Sequence, residues 1–362
     1  METHPRAAAR ERPLRVGLIG YGGGGAIFHA PIIAVTPGLE LAAIVTGHPE
    51  RQQAARRAHP GARIVDDASQ LWTHAAALDL VVISSPNRTH VPLAMDALHA
   101  GLHVVVDKPL APTAAEGRRL VHEAARCKRM LTVFQNRRWD GDFLTVRRLL
   151  DAGTLGTPLR WESRFERWRP APKIGWRERG APEEAGGLLY DLGSHLIDQA
   201  LVLLGPALHV YAEVDRRRQS VEVDDDVFVA ITHVSGVRSH LYMSAVAGQP
   251  APRMRLLGSR AAYLKFGLDV QEEALRRGDR PDRSDWGQEP AERWGKLGSG
   301  DEVQAVPTDP GAYGRFYQGV VLSLRDGAPL PVDPEDAVAG LAIIEAARES
   351  HEEQRVVPLD PG

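Results

Sequence analysis

Short, almost unbroken apolar runs punctuate the first third of the chain, at residues 15–19, 39–45, 80–84, 103–107 and 131–134, with a weaker one at 63–65. Runs without polar alternation suit strands buried on both faces of a parallel sheet, and the intervals between them leave room for crossover helices. One of those helices announces its start. Thr113 followed three residues later by Glu116 is a capping-box pattern, which predicts a helix over 113–128. This half reads as a doubly wound α/β domain.

From about Trp139 the period changes. After a helical pattern at 143–150, stretches of period two follow at 159–168, 210–216, 227–234, 238–245, 254–257 and 262–266. Alternation of Val227, Val229 and Ile231 against Phe228, Ala230 and Thr232 predicts an antiparallel sheet whose two faces are used differently. One apolar helix, 188–204, interrupts the series and stops at Gly205-Pro206. Residues 275–303 are charged, Gly-rich and poor in apolar anchors, and read as an exposed loop; helices at 313–325 and 333–351 close the chain. The expected architecture is a Rossmann-type parallel α/β half followed by a half built on a large, mostly antiparallel sheet.

Composition narrows the partners. The chain has 362 residues, enough for about two domains. Its 44 basic and 47 acidic residues leave a net charge of −3, so no global positive field exists to hold nucleic acid. Arginines interleaved with Trp161, Trp168 and Trp176 could suggest base stacking, but Glu162, Glu166 and Glu178 dilute that charge, and aromatic planes serve sugar rings equally well. A single cysteine, Cys127, excludes an internal disulfide framework. No apolar run approaches the roughly 18 residues of a membrane span, and the charged start lacks the apolar core of a secretory signal. A soluble, cytoplasmic protein with neither nucleic-acid nor membrane partner is expected.

Two features carry chemistry. The first strand runs into Gly20-Tyr21-Gly22-Gly23-Gly24-Gly25-Ala26, in which Gly20, Gly22 and Gly25 satisfy G-x-G-x-x-G in a strand–turn–helix context. Such a turn lets backbone N–H groups and a helix N-terminus approach a pyrophosphate. Pro31, inside the helix that follows, is expected to shorten or kink it. At the end of the second strand an acid would bind a ribose 2′-OH and repel a 2′-phosphate. This chain has Thr46-Gly47-His48 there, with Arg51 close by, which favours NADP over NAD; Arg51 as an ordinary solvated helix residue fits as well.

The second feature is Lys108, directly after the fifth strand and beside Asp107, where strand ends border the ligand crevice. A lysine there can stabilise a forming alkoxide, or simply cap the strand in a salt bridge. On the apolar helix, Asp191, His195 and Asp198 recur at i, i+4 and i+7 and are expected to share one face. A histidine is a natural acceptor for an alcohol proton, although a solvated polar stripe gives the same spacing. No H-x-x-x-H or H-E-x-x-H spacing occurs, so no metal centre is expected.

Taken together, the glycine turn, Ser84-Ser85-Pro86-Asn87-Arg88-Thr89-His90, Asp107-Lys108-Pro109 and the Asp191-x-x-x-His195 helix resemble the GFO/IDH/MocA oxidoreductases over nearly the whole chain. The resemblance implies hydride transfer between a nicotinamide and a sugar, inositol or related polyol, with Lys108, Asp191 and His195 as catalytic residues. Gly20, Tyr21, Gly22, Gly25, Ala26, Thr46, Arg51, Ser84, Pro86, Asn87, His90 and Asp107 would contact the cofactor. Arg137, Arg138, Asp142 and Trp168 are candidates to grip substrate hydroxyls, with solvated arginines and a packed tryptophan as the competing reading. The segments 28–31 and 135–140 resemble the branch of NADP-using inositol and sugar dehydrogenases, and Asp107 is a shorter variant of that family's usual Glu. A polar arm at 1–13, a dinucleotide domain at 14–136 and a substrate and oligomerisation domain at 137–362 are expected, with a homo-oligomer formed through the second sheet. A cofactor-binding regulator that has lost the reaction, or an imine or dihydrodiol reductase, would share the fold.

Overall fold

A computed structural model describes residues 12–172, 178, 180 and 184–360; most of the polar arm and Trp176 lie outside the described residues. The continuous apolar runs form six parallel strands: β1 (Leu14–Ile19), β2 (Leu39–Val45), β3 (Arg63–Val65), β4 (Leu80–Ile83), β5 (His103–Asp107) and β6 (Leu131–Phe134). Their order is β3-β2-β1-β4-β5-β6. The winding direction reverses between β1 and β4, and the crevice at such a switch point is where doubly wound sheets bind ligands. All four residues of β4 and the middle three of β5 are buried, because helices cover both faces. Thr113 caps its helix as the spacing predicts: its hydroxyl accepts from the Glu116 N–H at 3.2 Å and donates to Glu116 Oε2 at 3.1 Å, and the helix runs Ala114–Cys127.

The second sheet has nine strands among the described residues: β7 (Pro158–Glu166), β8 (Ala207–Asp215), β9 (Asp226–His233), β10 (Arg238–Ser244), β11 (Met254–Gly258), β12 (Ala262–Lys265), β13 (Gly295–Ser299), β14 (Glu302–Val306) and β15 (Val357–Pro358). Their order is β14-β13-β12-β11-β7-β10-β9-β8-β15, antiparallel throughout except where β7 runs parallel to β10. One face is covered: Val227, Val229 and Ile231 of β9 are buried together with Trp161 and Phe165 of β7. Each such large apolar side chain contributes about 1.5–3 kcal/mol on burial. The other face carries Phe228, 4.9 Å from the Tyr242 ring, and Arg164, whose guanidinium lies 4.3 Å from that same ring.

Part of the stretch expected to be an exposed loop is sheet. A helix covers Gln271–Arg277, and β13 and β14 form a hairpin that extends the edge. Glycine in a strand reads as a loop signal, yet Gly295 is required here because a Cβ would collide with the Tyr263 side chain. The last long helix, Pro334–Glu353, joins the two halves by packing on β8, on Ala114–Cys127 and on the helix Ser194–Leu204. Among the described residues no helix is long and apolar enough to cross a membrane.

Candidate active site at the switch point

The glycine turn is shaped by its neighbours. Gly20 has φ +98°, and a side chain there would run into the Ser84 carbonyl; one on Gly25 would overlap the Gly20 carbonyl. Gly24, which the sequence reading gave no role, would push a Cβ to 2.8 Å from Asp107 Oδ2. Gly22 and Gly23 differ. A Cβ on Gly22 would meet only the Arg51 guanidinium, at 3.6 Å, and one on Gly23 meets nothing within 4 Å. The outer side of the turn is therefore open, as a dinucleotide pyrophosphate requires. Tyr21 is buried with its ring edge-on to His59, and the Ala26 N–H bonds the Gly22 carbonyl at 2.9 Å.

Pro31 is accommodated rather than breaking the helix. The first turns, Gly24–His29, are wide, with the Ala30 N–H reaching back five residues to Gly25, and the α-helix proper begins at Ala30–Val35. A widened turn gives the proline ring room, and the missing N–H falls at the start of the α-helical segment, where it costs little.

At the end of β2, Thr46 is buried and its N–H is bonded to the Val65 carbonyl. Arg51 reaches from the helix Pro49–Ala58 toward the glycine turn. The fold also brings in an acid that the local sequence did not place there: Asp66, following β3, bonds Gln52, whose amide also donates to the Thr46 carbonyl at 2.9 Å.

Three loops meet beyond the glycine turn. Ser84 Oγ donates to Asp107 Oδ2 at 3.0 Å. His90 is buried, with Nε2 3.0 Å from the Ser85 carbonyl and Nδ1 2.8 Å from that of Pro109, so it ties the loop containing Pro86 to the Lys108–Pro109 turn. Asn87 Nδ2 donates to the Ala185 carbonyl at 3.2 Å. Burial alone would raise the Asp107 carboxyl, but His29, Lys108 and His90 outweigh it and hold Asp107 well below the usual range. His29 was not singled out as a site residue by sequence reasoning. It is fully buried, with Nε2 3.5 Å from Asp107 Oδ2 and Nδ1 2.6 Å from the Tyr317 hydroxyl.

Lys108 crosses to the helix that carries Asp191. Its Nζ lies 3.0 Å from Asp191 Oδ1 and also donates to the Asp191 carbonyl. This pair, with Asn87, Pro109, Ala185 and Gly187, surrounds a small cavity. His195 is buried, its ring centroid 6.4 Å from that of Phe165, and its Nδ1 has no hydrogen-bond partner among the described residues. Burial, followed by the charges of Lys108, Arg137, Arg253 and Arg167, lowers its pKa well below that of free histidine. The imidazole is therefore neutral at pH 7 and able to accept a proton.

The expected i, i+4, i+7 stripe does not stay together. Residues Leu189–Gly193 form a wide turn before the α-helix Ser194–Leu204, which puts Asp191 out of register with His195 and Asp198; Asp191 lines the cavity beside Lys108, whereas Asp198 faces Arg138. Asp198 takes a two-pronged ion pair from Arg138, at 2.9 and 2.6 Å, and Arg138 also reaches Asp336 at 2.9 Å. The start of this helix hangs on Asp224, whose carboxylate accepts the Leu189 N–H at 2.7 Å and approaches Arg348 at 3.2 Å. A side chain on Gly187 would displace that carboxylate.

The four substrate candidates fall in different settings. Arg137 is buried, paired with Glu272 at 2.6 Å and Asp140 at 3.4 Å. Arg138 is the buried ion-pair residue just described. Asp142 is 1% exposed, accepting the Phe143 N–H with Arg253 Nε 3.9 Å away. Trp168 is 62% exposed. Sequence reasoning missed Arg253, which lies 4.2 Å from the Phe165 ring centroid and donates to Ser163 and Gln199. It also missed Arg167, two residues beyond Phe165 on the same strand parity. Period-two alternation was the available signal for Arg167, whereas nothing local marks Arg253.

Residues 14–135 match the oxidoreductase family with an NAD-binding Rossmann fold, and residues 143–264 match the GFO/IDH/MocA C-terminal domain. A Bacillus subtilis protein named scyllo-inositol 2-dehydrogenase (NADP(+)) IolW is 35% identical, with 96% of each chain covered. The oxidoreductase YdgJ of Escherichia coli is 39% identical over 93% of this chain and 96% of its own. The structure of the Bacillus subtilis oxidoreductase yvaA superposes with a TM-score of 0.91 at 34% identity, covering 96% of this chain and 99% of that one. The chain belongs to the GFO/IDH/MocA oxidoreductase family, with an NAD-binding Rossmann domain followed by that family's C-terminal domain.

Proposed function

We propose that the protein is an NADP-preferring dehydrogenase that interconverts a secondary alcohol and a ketone on a cyclic polyol or sugar. The observation that carries this reading is the Lys108–Asp191 pair beside a buried, neutral His195, at the crevice that opens beyond the glycine turn. A bound nicotinamide would supply or accept the hydride. His195 takes the hydroxyl proton in the oxidative direction and returns it in the reductive one. Nδ1 is enclosed, which leaves Nε2 to face the substrate. Lys108 holds the substrate oxygen as charge builds on it, and Asp191 fixes the lysine and a neighbouring hydroxyl. Arg167, whose charge acts on both His195 and Asp191, would grip a further oxygen, whereas Arg138 serves the fold. The catalytic assignment of Lys108, Asp191 and His195 rests on the same resemblance that suggests Pro86, Asn87 and Asp107 beside the cofactor.

The preference for NADP is supported by Arg51 over the glycine turn, by the lack of an acid directly after β2, and by the printed cofactor of the Bacillus subtilis relative. Division at residues 136/137, with the second half serving substrate binding and homo-oligomer formation, belongs to the same proposal. The aromatic face of the second sheet is the surface for that oligomer; sedimentation showing only monomer at micromolar concentration removes it. The test of function is fluorescence titration with NADPH and NADH, followed by assay of inositols and sugars with the tighter-binding cofactor. Tighter NADPH binding that Arg51→Ala weakens while leaving NADH unchanged supports the cofactor reading. Binding of neither cofactor refutes it.

A further inference from the structure

The helices that follow β4 and β5, His90–His99 and Ala114–Cys127, run back to the edge of the parallel sheet opposite the glycine turn. Their final residues are His99 and Cys127, and Glu123 stands one turn before Cys127. His99 Nε2 lies 2.6 Å and Cys127 Sγ 3.5 Å from the same atom, Glu123 Oε1, and the three donor atoms all fall within 4.8 Å of one another. We propose that His99, Glu123 and Cys127 form a site for a divalent cation of the zinc class, remote from the oxidoreductase crevice and structural in role.

The geometry is close to what zinc needs. Bonds of about 2.0–2.3 Å in a tetrahedron place ligand atoms about 3.3–3.6 Å apart, with water free to fill the fourth position. The Cys127–Glu123 separation already fits, and the His99–Glu123 separation must open by less than about 1 Å, which a half-exposed imidazole permits. Mixed nitrogen, oxygen and sulfur donors favour zinc over magnesium or calcium, which take oxygen shells. Both helices end here, and the partial negative charge of two helix C-termini adds to the attraction for a cation. No single-helix motif announces the site, because its ligands come from two crossover helices that only the parallel packing brings together.

One group competes. Arg126 donates to both oxygens of Glu123, at 2.8 and 2.5 Å, and together with His99 it draws that carboxyl down to about 2. Burial and Glu123 push the Cys127 thiol up. A bound cation takes Oε1 while Arg126 keeps Oε2. The thiol proton leaves to solvent as the sulfur–metal bond forms, and the His99 Nε2 proton that faces Glu123 moves through solvent to Nδ1 so that the neutral imidazole binds through Nε2, one proton being released for each cation bound.

The experiment is titration of the tag-free, chelator-stripped chain with zinc chloride against a chromophoric chelator, and with cobalt chloride for a thiolate-to-cobalt charge-transfer band. One equivalent of zinc, a thiolate band and a Tm raised by zinc are expected. Cys127→Ser and His99→Ala should each weaken zinc binding by at least about tenfold, and Cys127→Ser should abolish the thiolate band. Arg126→Ala should tighten binding by removing the competitor. Melting of each variant in chelator shows that it is folded. A wild-type chain that binds no zinc, or binding that Cys127→Ser retains in full, overturns the proposal.

Discussion

Gly22→Ala separates a cofactor cradle from a merely tight turn. A Cβ at this position meets only the Arg51 guanidinium, at 3.6 Å, and the backbone there is outside the left-handed region that favours glycine. The folded protein therefore accepts the substitution, with a stability change within about 0.5 kcal/mol and a Tm shift of about 2 °C or less. A pyrophosphate lying against this backbone does not accept it. Displacement of the ligand forfeits a charge-assisted hydrogen bond from backbone N–H to phosphate, about 1.5–3 kcal/mol, or on the order of 10- to 100-fold in affinity. Gly25→Ala provides the contrast. Its Cβ would collide with the Gly20 carbonyl, forcing the turn open by about 1 Å and costing about 1–3 kcal/mol of stability as well as affinity. Thermal melts paired with NADPH and NADH fluorescence titrations read both quantities. A Gly22→Ala protein that is folded and binds both cofactors as the wild type does would refute the cradle.

Lys108→Met and His195→Ala should each lower turnover by about 10²–10⁴-fold with cofactor affinity near that of the wild type; near-normal rates in both variants would remove the proposed mechanism. Arg51→Ala should cost about tenfold or more in NADPH affinity, from loss of a charge-assisted hydrogen bond, and nothing for NADH. Arg138→Met should destabilise the chain by about 3–5 kcal/mol in urea unfolding, because Asp198 is left buried beside Asp336 without its cation, and adding Asp198→Leu should recover most of that loss. Equal stability of Arg138→Met and wild type would show that the pair carries nothing. For pH, His195 and His90 are both lowered, chiefly by burial. The unfolded chain binds protons below about 6.5 where the folded chain does not, so their contribution is present above that pH and is lost as pH falls through it. The buried Asp140, Asp198 and Asp224 are raised and act in the opposite sense at lower pH, as does Asp269 at about 6. The drop in Tm from pH 7.5 to 5.5 should therefore be smaller in His195→Gln than in the wild type, and equal drops would contradict the assignment.

Residue order alone determined a good deal of this protein. Strands buried on both faces must be continuously apolar, so five of the six parallel strands stand out in the sequence. The glycine turn is equally local, because strand, turn and helix are contiguous and the glycines answer to backbone geometry. The alternation in β9 marks its buried face for the same reason. Other features depended on contacts between distant segments. Lys108 meets Asp191 across 83 residues. Asp66 approaches Thr46 only through the pairing of β2 with β3, and the hairpin of β13 and β14 was masked by glycines, of which Gly295 makes room for Tyr263 and Gly298 for the Glu302 backbone. One widened turn at Leu189–Gly193 put Asp191 out of register with the helix that carries His195 and Asp198, and packing gave Asp198 to Arg138, which changes the meaning of a stripe that sequence spacing alone cannot distinguish. Likewise His99, Glu123 and Cys127 are unremarkable in order and adjacent only once two crossover helices lie side by side. Periodicity reports which face of an element is buried. Which charged groups face one another across elements is settled by packing, since a shift of one residue in a helical turn redirects every side chain beyond it.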